Sequence, residues 1–266
     1  MKNTTPFVKY QGAGNDFVLL NLFEHPLEEA LTKEQIVNIC DRRFGVGADG
    51  LILLKPHAEY DFFMQFYNPD GSGSNFCGNG GRCIVAYAHR LGIIGQEASF
   101  LAMDGPHKAL INPSSDWVAL QMGEVASWKD VLNGCYMYTG TDHYVEIVDN
   151  LDEIDVVTQG RILRHHAEFQ PNGANVNFIE GDLKQLKIIT YERGVEDETL
   201  ACGTGAIAAA IMMVKNAKQT GQSNIAIKAA GGNLEVRLKY DGKIFTDIWL
   251  CGPAKFVFKG QYDKLK

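Results

Sequence analysis

The chain has 266 residues, 45% of them hydrophobic and 21% charged, with a formal net charge of −7 at pH 7. This length suits one large domain or two of ordinary size, and the negative charge argues against nucleic acid as the main partner. No uninterrupted apolar run of 18 residues could span a membrane, and residues 1–9 lack the apolar segment of a secretory signal. We therefore expect a cytoplasmic protein whose partners are neither nucleic acids nor membranes.

The first half of the chain predicts short strands and two helices. Residues 6–23 predict a hairpin, and 32–42 predict a helix with Thr32 as its N-cap. A polar Gly/Ser loop at 68–75 precedes a second helix at about 80–91. The other predicted strands cover 50–54, 61–67, 99–101, 108–111, 117–122 and 144–148.

The second half repeats this order of elements. Strands at 175–179 and 186–192 lead to a polar loop at 194–199, and Cys202 begins a helix that runs to about residue 217. The last predicted strands cover 225–229, 234–238, 244–250 and 255–266.

Short similarities connect the two halves. The run Gly-Asn-Asp-Phe-Val at 14–18 resembles Ala-Asn-Val-Asn-Phe-Ile at 174–179. Asn68 and Glu192 precede two similar cysteine loops by nine and ten residues. Such twofold similarity indicates two like-folded halves with a cleft between them. We expect an α/β (α+β) fold of two pseudo-symmetric β-rich halves, each wrapped around a central helix.

The cysteines are expected to be thiols, because the chain is long and has no export signal. No Cys-x-x-Cys pair is present, which argues against a structural zinc site and against a thiol-disulfide oxidoreductase. We expect no metal ion. A cysteine is most often a small buried hydrophobic residue. We expect this for four of the six: Cys40, Cys83, Cys135 and Cys251.

Cys77 and Cys202 differ from these four by their context. Each is followed by Gly, a small polar residue and Gly, and then by a helical stretch. The glycines allow backbone N–H groups to converge at the helix start, where an anion binds and a thiol pKa falls. Two such sites could hold one carboxylate and place a thiol on each face of the carbon that bears it. That arrangement suits removal and return of an α-proton without a cofactor.

These residues resemble the diaminopimelate epimerase family of the pyridoxal-independent amino-acid racemase superfamily. The resemblance covers nearly the whole chain, and the joint order of its motifs is highly specific. It is carried by Gly-Ala-Gly-Asn-Asp-Phe at 12–17, Phe-Gly-Val-Gly-Ala-Asp-Gly at 44–50, Asn68, both cysteine loops, Asn175, and Tyr-Glu-Arg-Gly at 191–194.

The resemblance implies a fold, a reaction and a set of site residues. It implies epimerisation of LL- to meso-2,6-diaminopimelate, for lysine and peptidoglycan precursors, by catalytic Cys77 and Cys202. The family is commonly homodimeric, so we expect a homodimer. The implied substrate contacts are Gly78, Asn79, Gly203 and Thr204 for the reacting carboxylate, and Asn15, Asn68, Asn175, Glu192 and Arg193 elsewhere.

The resemblance also implies that His143 and Glu192 tune the two thiols, and we assign His143 to Cys77 and Glu192 to Cys202. Two positions depart from the family pattern. Thr141 stands where many members have an asparagine that contacts substrate, and we keep it as a substrate contact through its hydroxyl. Gly50 stands where some members have a glutamine.

Taken singly, these side chains also have ordinary structural explanations. Asn15, Asn68 and Asn175 lie in turn-like sequences. Glu192 and Arg193 could form a solvated surface pair, and His143 could be a structural histidine. Their order and context within the motifs favour the functional interpretation.

Two other functions remain open on the same fold: racemisation of another amino acid, such as histidine or proline, and an isomerase or non-catalytic relative without thiol chemistry. Retention of both cysteines argues against the second. We expect residues 1–125, with or without the strand 255–266, to carry Cys77, and 126–254 to carry Cys202, with the active site between these halves.

Overall fold

The computed structural model describes residues 4–27, 29–74 and 76–263. Three expectations therefore extend outside the described residues: the start of the segment 1–9, the end of the loop 68–75, and the end of the strand 255–266. The chain divides into two units, Met1–Leu120 with Gly252–Lys266, and Gln121–Cys251. Each unit is a β-sheet with one long buried helix and one shorter helix, which confirms the predicted fold class.

The elements of the first unit follow the predicted order closely. The hairpin at 6–23 is confirmed, as are both helices, although the second begins two residues earlier than predicted. In chain order the elements are β1 (Thr4–Gly12), β2 (Asn15–Asn21), α1 (Lys33–Cys40), β3 (Gly50–Lys55), β4 (Phe62–Tyr67), β5 (Gly73–Ser74), α2 (Gly78–Arg90), β6 (Glu97–Ala102), β7 (Gly105–Asn112) and β8 (Trp117–Met122).

The second unit contains elements that the sequence did not predict, namely β9, β10, α3 and β14. Its elements are β9 (Trp128–Val131), β10 (Gly134–Tyr138), β11 (Asp142–Ile147), α3 (Val156–Arg164), β12 (Asn175–Gly181), β13 (Gln185–Glu192), β14 (Asp197–Thr199), α4 (Gly203–Ala217), β15 (Gly221–Ala229), β16 (Gly232–Tyr240) and β17 (Phe245–Pro253). The last strand, β18 (Lys255–Asp263), returns to the first unit.

Strand pairing follows one scheme in both units. In the first, β18, β1 and β2 pair antiparallel, β2 pairs parallel with β3 across α1, and β3 pairs antiparallel with β4. Strand β4 then pairs parallel with β6 across α2, and β6 and β7 form an antiparallel pair. In the second unit, β9 to β16 repeat these steps, with α3 and α4 as the crossover helices. The predicted pseudo-symmetry of the halves is therefore confirmed.

The similarity between the runs at 14–18 and 174–179 does not reflect the repeat of the two units. By pairing order, β2 corresponds to β11 and β12 corresponds to β3, so the runs at 14–18 and 174–179 lie on non-equivalent strands. Each strand follows a glycine with positive φ. Gly14, at 86°, directly precedes β2, and Gly173, at 67°, lies two residues before the start of β12. The two runs share this local turn chemistry, which explains their likeness without duplication.

The long helices α2 and α4 are the central elements of their units. In α2, ten consecutive residues from Asn79 to Ala88 are buried, and in α4 the residues from Gly205 to Met212 are buried. A helix buried all round needs small side chains to let strands approach on every face. By contrast, α1 buries one face only, through Ile36, Ile39 and Cys40. None of the helices in the described ranges is long and apolar enough to cross a membrane.

Replacing Gly205 by alanine tests this close packing. A Cβ at position 205 would lie 2.3 Å from Oδ1 of Asn177, so the strand below would have to shift. Although alanine favours helices, we expect Gly205→Ala to lower the free energy of unfolding by about 1–3 kcal/mol, measured by urea denaturation. The matched control is Gly95→Ala, where a Cβ meets nothing within 4 Å. Equal stability of the two variants would contradict the packing.

Candidate active site

The six cysteines all lie in described ranges and fall into two groups. Cys40, Cys83, Cys135 and Cys251 are buried, whereas Cys77 and Cys202 are partly exposed. Burial raises the pKa of Cys40 and of Cys135 to about 11, and it raises that of Cys83 further. These three thiols therefore stay protonated at neutral pH and cannot act as bases.

Cys77 and Cys202 occupy the same position in their units. Each is the N-cap of the long buried helix, in nearly the same extended conformation: φ −131° and ψ 117° for Cys77, φ −112° and ψ 112° for Cys202. Neither side chain makes a cap hydrogen bond to the helix. The first backbone amides of α2 and α4 are thus not capped by the N-cap side chain, and a bound anion could accept hydrogen bonds from them.

The shorter helices behave differently at their starts. Thr32 caps α1 in a capping box with Gln35, and Asp155 caps α3. The 3₁₀ turns after Asn150 and His166 are also capped by those side chains. Among the described helices, side-chain capping is absent only where a cysteine stands at the N-cap.

In the first unit, Asn15 lies beside Cys77. Its amide nitrogen donates to Asp49 Oδ2 at 2.7 Å, which turns its Oδ1 toward Cys77 Sγ, 3.7 Å away. Asn79 also donates to Asn15 Oδ1, at 3.2 Å, and the fully buried Arg82 donates to Asn79 at 2.8 Å. Three predicted site residues, Cys77, Asn15 and Asn79, are therefore brought together.

Asn15 contacts a cluster of charged residues through its hydrogen bond to Asp49. Arg42 donates to both Asp16 and Asp49, and Lys9 forms an ion pair with Asp16 at 2.9 Å. Burial would raise the pKa of Asp16, but the hydrogen bonds from Arg42 and Lys9 outweigh it and hold that pKa well below its usual range. Asp16 therefore stays ionised, and the strand start that carries Asn15 is fixed.

Asn68 and Gly50, also of the first unit, have local roles. Asn68 closes a turn, accepting from the amide of Gly71 and donating through its own side chain to Ser72 Oγ at 3.0 Å. A Cβ on Gly50 would lie 2.4 Å from the ring of Phe66, so a glutamine would not fit here without a shift. Phe66 and the carbonyl oxygen of Tyr67 therefore leave no room for a side chain at Gly50.

In the second unit, Cys202 is connected to His143 through Thr204. The hydroxyl of Thr204 lies 3.5 Å from Cys202 Sγ and 2.8 Å from His143 Nε2. Thr141 Oγ1 lies 2.9 Å from the same ring nitrogen and accepts from Asn175 at 3.0 Å. Five predicted site residues thus form one contiguous polar group.

The assignment of His143 to Cys77 stays a prediction, as does that of Glu192 to Cys202. His143 contacts Thr204 in the Cys202 loop of its own unit, and Thr204 in turn contacts Cys202. Glu192 accepts a hydrogen bond at 2.9 Å from Thr199, three residues before Cys202. Burial raises the pKa of Glu192, with the Thr199 hydrogen bond opposing the rise.

Arg193 and Asn175 are held at the edge of the same group. The backbone N–H of Arg193 donates to Asn175 Oδ1 at 2.8 Å, and its guanidinium pairs with Asp142 at 3.2 Å. Asp142 in turn accepts from Tyr136 at 2.6 Å. The guanidinium also donates to the carbonyl oxygens of residues 172 and 173, so its fork is positioned before any substrate arrives.

Sequence reasoning missed several polar residues beneath the cysteine loops. Asn177 in β12 and Thr190 in β13 are buried and hydrogen-bonded to each other, and Arg82 is buried in α2. Thr139 donates to the carbonyl oxygen of Thr204 at 2.9 Å, which anchors the first turn of α4. The only signal was a polar side chain at a buried strand or helix position, which ordinary composition does not distinguish. Within the described ranges, no three His, Cys, Asp or Glu side chains cluster as a metal site requires.

Comparison with known proteins decides the family. The family model described as diaminopimelate epimerase matches residues 7–128 and 135–257. The chain belongs to the diaminopimelate epimerase family. A diaminopimelate epimerase of Flavobacterium psychrophilum is 46% identical over 254 residues, covering 94% of this chain and 97% of that protein. One of Chlorobaculum tepidum is 41% identical over 94% of this chain and 98% of that protein.

A solved structure agrees on the fold. The phenazine biosynthesis protein of the PhzF family from Bacillus anthracis has a TM-score of 0.77 over 97% of this chain and 99% of its own, at 14% identity. As a member of the diaminopimelate epimerase family the chain is an isomerase of the epimerase class, so the family and enzyme class predicted from the sequence are confirmed.

The exposure of the cysteines predicts their reactivity. In reducing buffer at pH 8, we expect iodoacetamide to modify Cys77 and Cys202 at least about tenfold faster than Cys40, Cys83, Cys135 or Cys251, because the latter are buried. Peptide mass spectrometry over time measures each site in one sample. All six should react at similar rates in 6 M guanidinium. Fast modification of a buried cysteine in the native protein would contradict the structure.

His143 predicts a pH dependence of stability. Burial lowers its pKa from 6.5 to about 3 in the folded protein, so only the unfolded chain takes up a proton there as the pH falls from 6.5. Wild type should lose about 2 kcal/mol more unfolding free energy than His143→Gln between pH 7.5 and 5.0. Urea denaturation at both pH values measures this difference. An equal loss in the two proteins would show that His143 is protonated when folded.

Proposed function

We propose that this chain epimerises LL-2,6-diaminopimelate to meso-2,6-diaminopimelate without a cofactor, in lysine and peptidoglycan precursor biosynthesis. Cys77 and Cys202 act as the acid/base pair. The observation that carries the proposal is the matched pair of helix starts: two partly exposed cysteines, each the N-cap of a buried helix, with no side-chain cap to the first amides. The family assignment supports the substrate.

The reaction needs strong stabilisation of charge, because an amino-acid α-hydrogen is a very weak acid. In the proposed mechanism, backbone amides of Gly78 and Asn79, and of Gly203 and Thr204, bind the carboxylate at the reacting carbon. As the α-proton leaves, negative charge spreads onto this carboxylate, where the N-terminal partial charges of α2 and α4 stabilise it. The helix starts therefore stabilise the transition state more than the bound substrate.

The two thiols exchange roles in each turnover. One, as thiolate, takes the α-proton and becomes a thiol, and the other, as thiol, gives its proton to the opposite face of the carbanion and becomes a thiolate. The stereocentre inverts, no electrons are transferred, and the enzyme ends in the mirror protonation state. One base on each face is the minimal set for this inversion.

A second group of residues suits the distal amino-acid head. Arg193 offers a guanidinium already fixed by Asp142 and two carbonyl oxygens, which fits a carboxylate in bidentate geometry. Glu192 supplies a carboxylate for the distal ammonium. Asn68, Asn175, Asn15 and Thr141 supply further amides and a hydroxyl. A site so equipped favours a substrate with two amino-acid ends over proline or histidine. The cytoplasmic location and the homodimer stay predictions.

Proton exchange in D₂O tests substrate and mechanism together. With LL-diaminopimelate, we expect deuterium at the α-carbon of the meso product at early conversion, with little in the remaining substrate, because different thiols remove and return the proton. Proton NMR and mass spectrometry follow both species, alongside lysine, histidine and proline as alternative substrates. Exchange of proline or histidine with none of diaminopimelate would reject the proposed substrate.

Cysteine variants test the two-base mechanism. We expect Cys77→Ala and Cys202→Ala each to lower kcat at least about 10³-fold, since each removes the base or acid for one face. Cys40→Ala is the matched control: it removes a buried thiol outside the site and should retain wild-type kcat. Full activity in either Cys77→Ala or Cys202→Ala would refute the mechanism.

A further inference from the structure

The hydrogen bonds around His143 fix which of its ring nitrogens carries the proton. Asn177 is fully buried, and its amide nitrogen lies 3.0 Å from the carbonyl oxygen of Tyr144 and 3.0 Å from His143 Nδ1. Its Oδ1 accepts from Thr190 Oγ1 at 3.0 Å. Because a carbonyl oxygen can only accept, the Tyr144 contact fixes the orientation of the Asn177 amide.

The tautomer follows from this orientation. An amide nitrogen donates and cannot accept, so His143 Nδ1 is the acceptor from Asn177 and carries no hydrogen. Burial keeps the ring neutral, as the lowered pKa of His143 indicates. The charged groups nearest to it, Asp142 and Arg193, act in opposite directions on that pKa and are paired with each other. The single ring hydrogen therefore sits on Nε2.

Two hydroxyl oxygens lie within reach of the Nε2 hydrogen, Thr204 Oγ1 at 2.8 Å and Thr141 Oγ1 at 2.9 Å. Asn175 has its Oδ1 held by the Arg193 backbone N–H, so its nitrogen donates to Thr141 Oγ1. The 3.4 Å approach of that nitrogen to His143 Nε2 joins two donors and is not a hydrogen bond. Thr204 Oγ1 is the nearest acceptor for Nε2–H, at 2.8 Å. Once it accepts there, its own hydrogen can go to Cys202 Sγ, 3.5 Å away, or to Thr141 Oγ1, 3.4 Å away. A separation of 3.4 Å is long for an O–H···O bond, whereas 3.5 Å is ordinary for a bond to sulfur, so the geometry favours Cys202.

We propose that Asn177 is a positioning residue that holds His143 as the Nε2–H tautomer and so directs the hydroxyl hydrogen of Thr204 at Cys202 Sγ. This inference rests on the proposed acid/base role of Cys202 and deepens it. It pairs His143 with Cys202, in place of the pairing with Cys77 expected from the sequence. A hydroxyl polarised by an imidazole N–H stabilises a thiolate without placing a positive charge beside it. The relay is neutral throughout and needs no proton transfer.

Nitrogen NMR of the substrate-free enzyme tests the tautomer directly. In uniformly ¹⁵N-labelled protein, two-bond ¹H–¹⁵N correlations distinguish the Nδ1–H, Nε2–H and doubly protonated rings of all seven histidines. His143 is assigned as the signal absent from His143→Gln. We expect the Nε2–H pattern at pH 7, and an Nδ1–H or doubly protonated ring would overturn the proposal. Asn177→Leu, which removes the amide donor at similar volume, should lose the pure Nε2–H pattern.

Alkylation of Cys202 tests the hydroxyl. Thr204→Val removes the hydroxyl at the same shape, and Thr204→Ser keeps it, so the two are a matched pair. At pH 7 without substrate, we expect Cys202 in Thr204→Val to react with iodoacetamide roughly five- to tenfold more slowly relative to Cys77 than in wild type, since a hydrogen bond to the thiolate is lost. Thr204→Ser should stay within about twofold of wild type. Equal rates in Thr204→Val and wild type would overturn the relay.

These readouts separate the relay from the proposed function. Both are made without substrate, so they do not depend on epimerisation. If the enzyme epimerises diaminopimelate but His143 carries its hydrogen on Nδ1, the relay is wrong and the function stands. If the tautomer and alkylation results hold but no α-proton exchange occurs, the relay stands as chemistry of Cys202 and the function is wrong. Loss of folding in Asn177→Leu leaves the wild-type spectrum and the Thr204 pair as sufficient tests.

Discussion

A helix buried on every face has backbone N–H groups outside its own ladder of hydrogen bonds only at its start, and each unit is built around such a helix. The strands surround α2 and α4 closely enough that glycine and alanine occupy much of their surfaces. The polar N-terminus of each is then the point where the core meets the outside. A cysteine at that position combines a favourable potential for an anion with a group able to move a proton. The sheets, the loops and the buried polar residues all serve to hold these two helix starts.

The two units solve this problem with different residues. In the first, Cys77 faces an amide oxygen of Asn15, whose nitrogen is committed to Asp49. In the second, Cys202 faces the hydroxyl of Thr204, which is hydrogen-bonded to the buried imidazole of His143. An amide oxygen only accepts a hydrogen, whereas a hydroxyl can also donate one. The topology is therefore duplicated, but the two sulfurs have different hydrogen-bond neighbours.

Sequence patterns predicted what depends on local chemistry. Thr32 as an N-cap predicted the start of α1, and the glycine-rich cysteine runs predicted both central helices. Helix α3 was not predicted because it contains Gly160, and glycine is a poor helix former. Close packing requires this glycine, since a Cβ there would lie 2.4 Å from Tyr191. Asn177 was missed for a related reason. Its side chain contacts the carbonyl oxygen of Tyr144 in β11 and lies against Gly205 of α4. Both partners are distant in sequence, so the residue pattern of one strand does not predict these contacts.

The place of β18 affects how the chain is completed during synthesis. The second unit is continuous in sequence, from Gln121 to Cys251, so all its strands emerge in one stretch. The first unit needs β18, its last strand, to cover β1 through the register Thr4 to Gln11. Until β18 has been synthesised and has paired, β1 has one unpaired edge, which is open to pairing with another nascent chain. The unit whose synthesis begins first is therefore the last to complete its sheet.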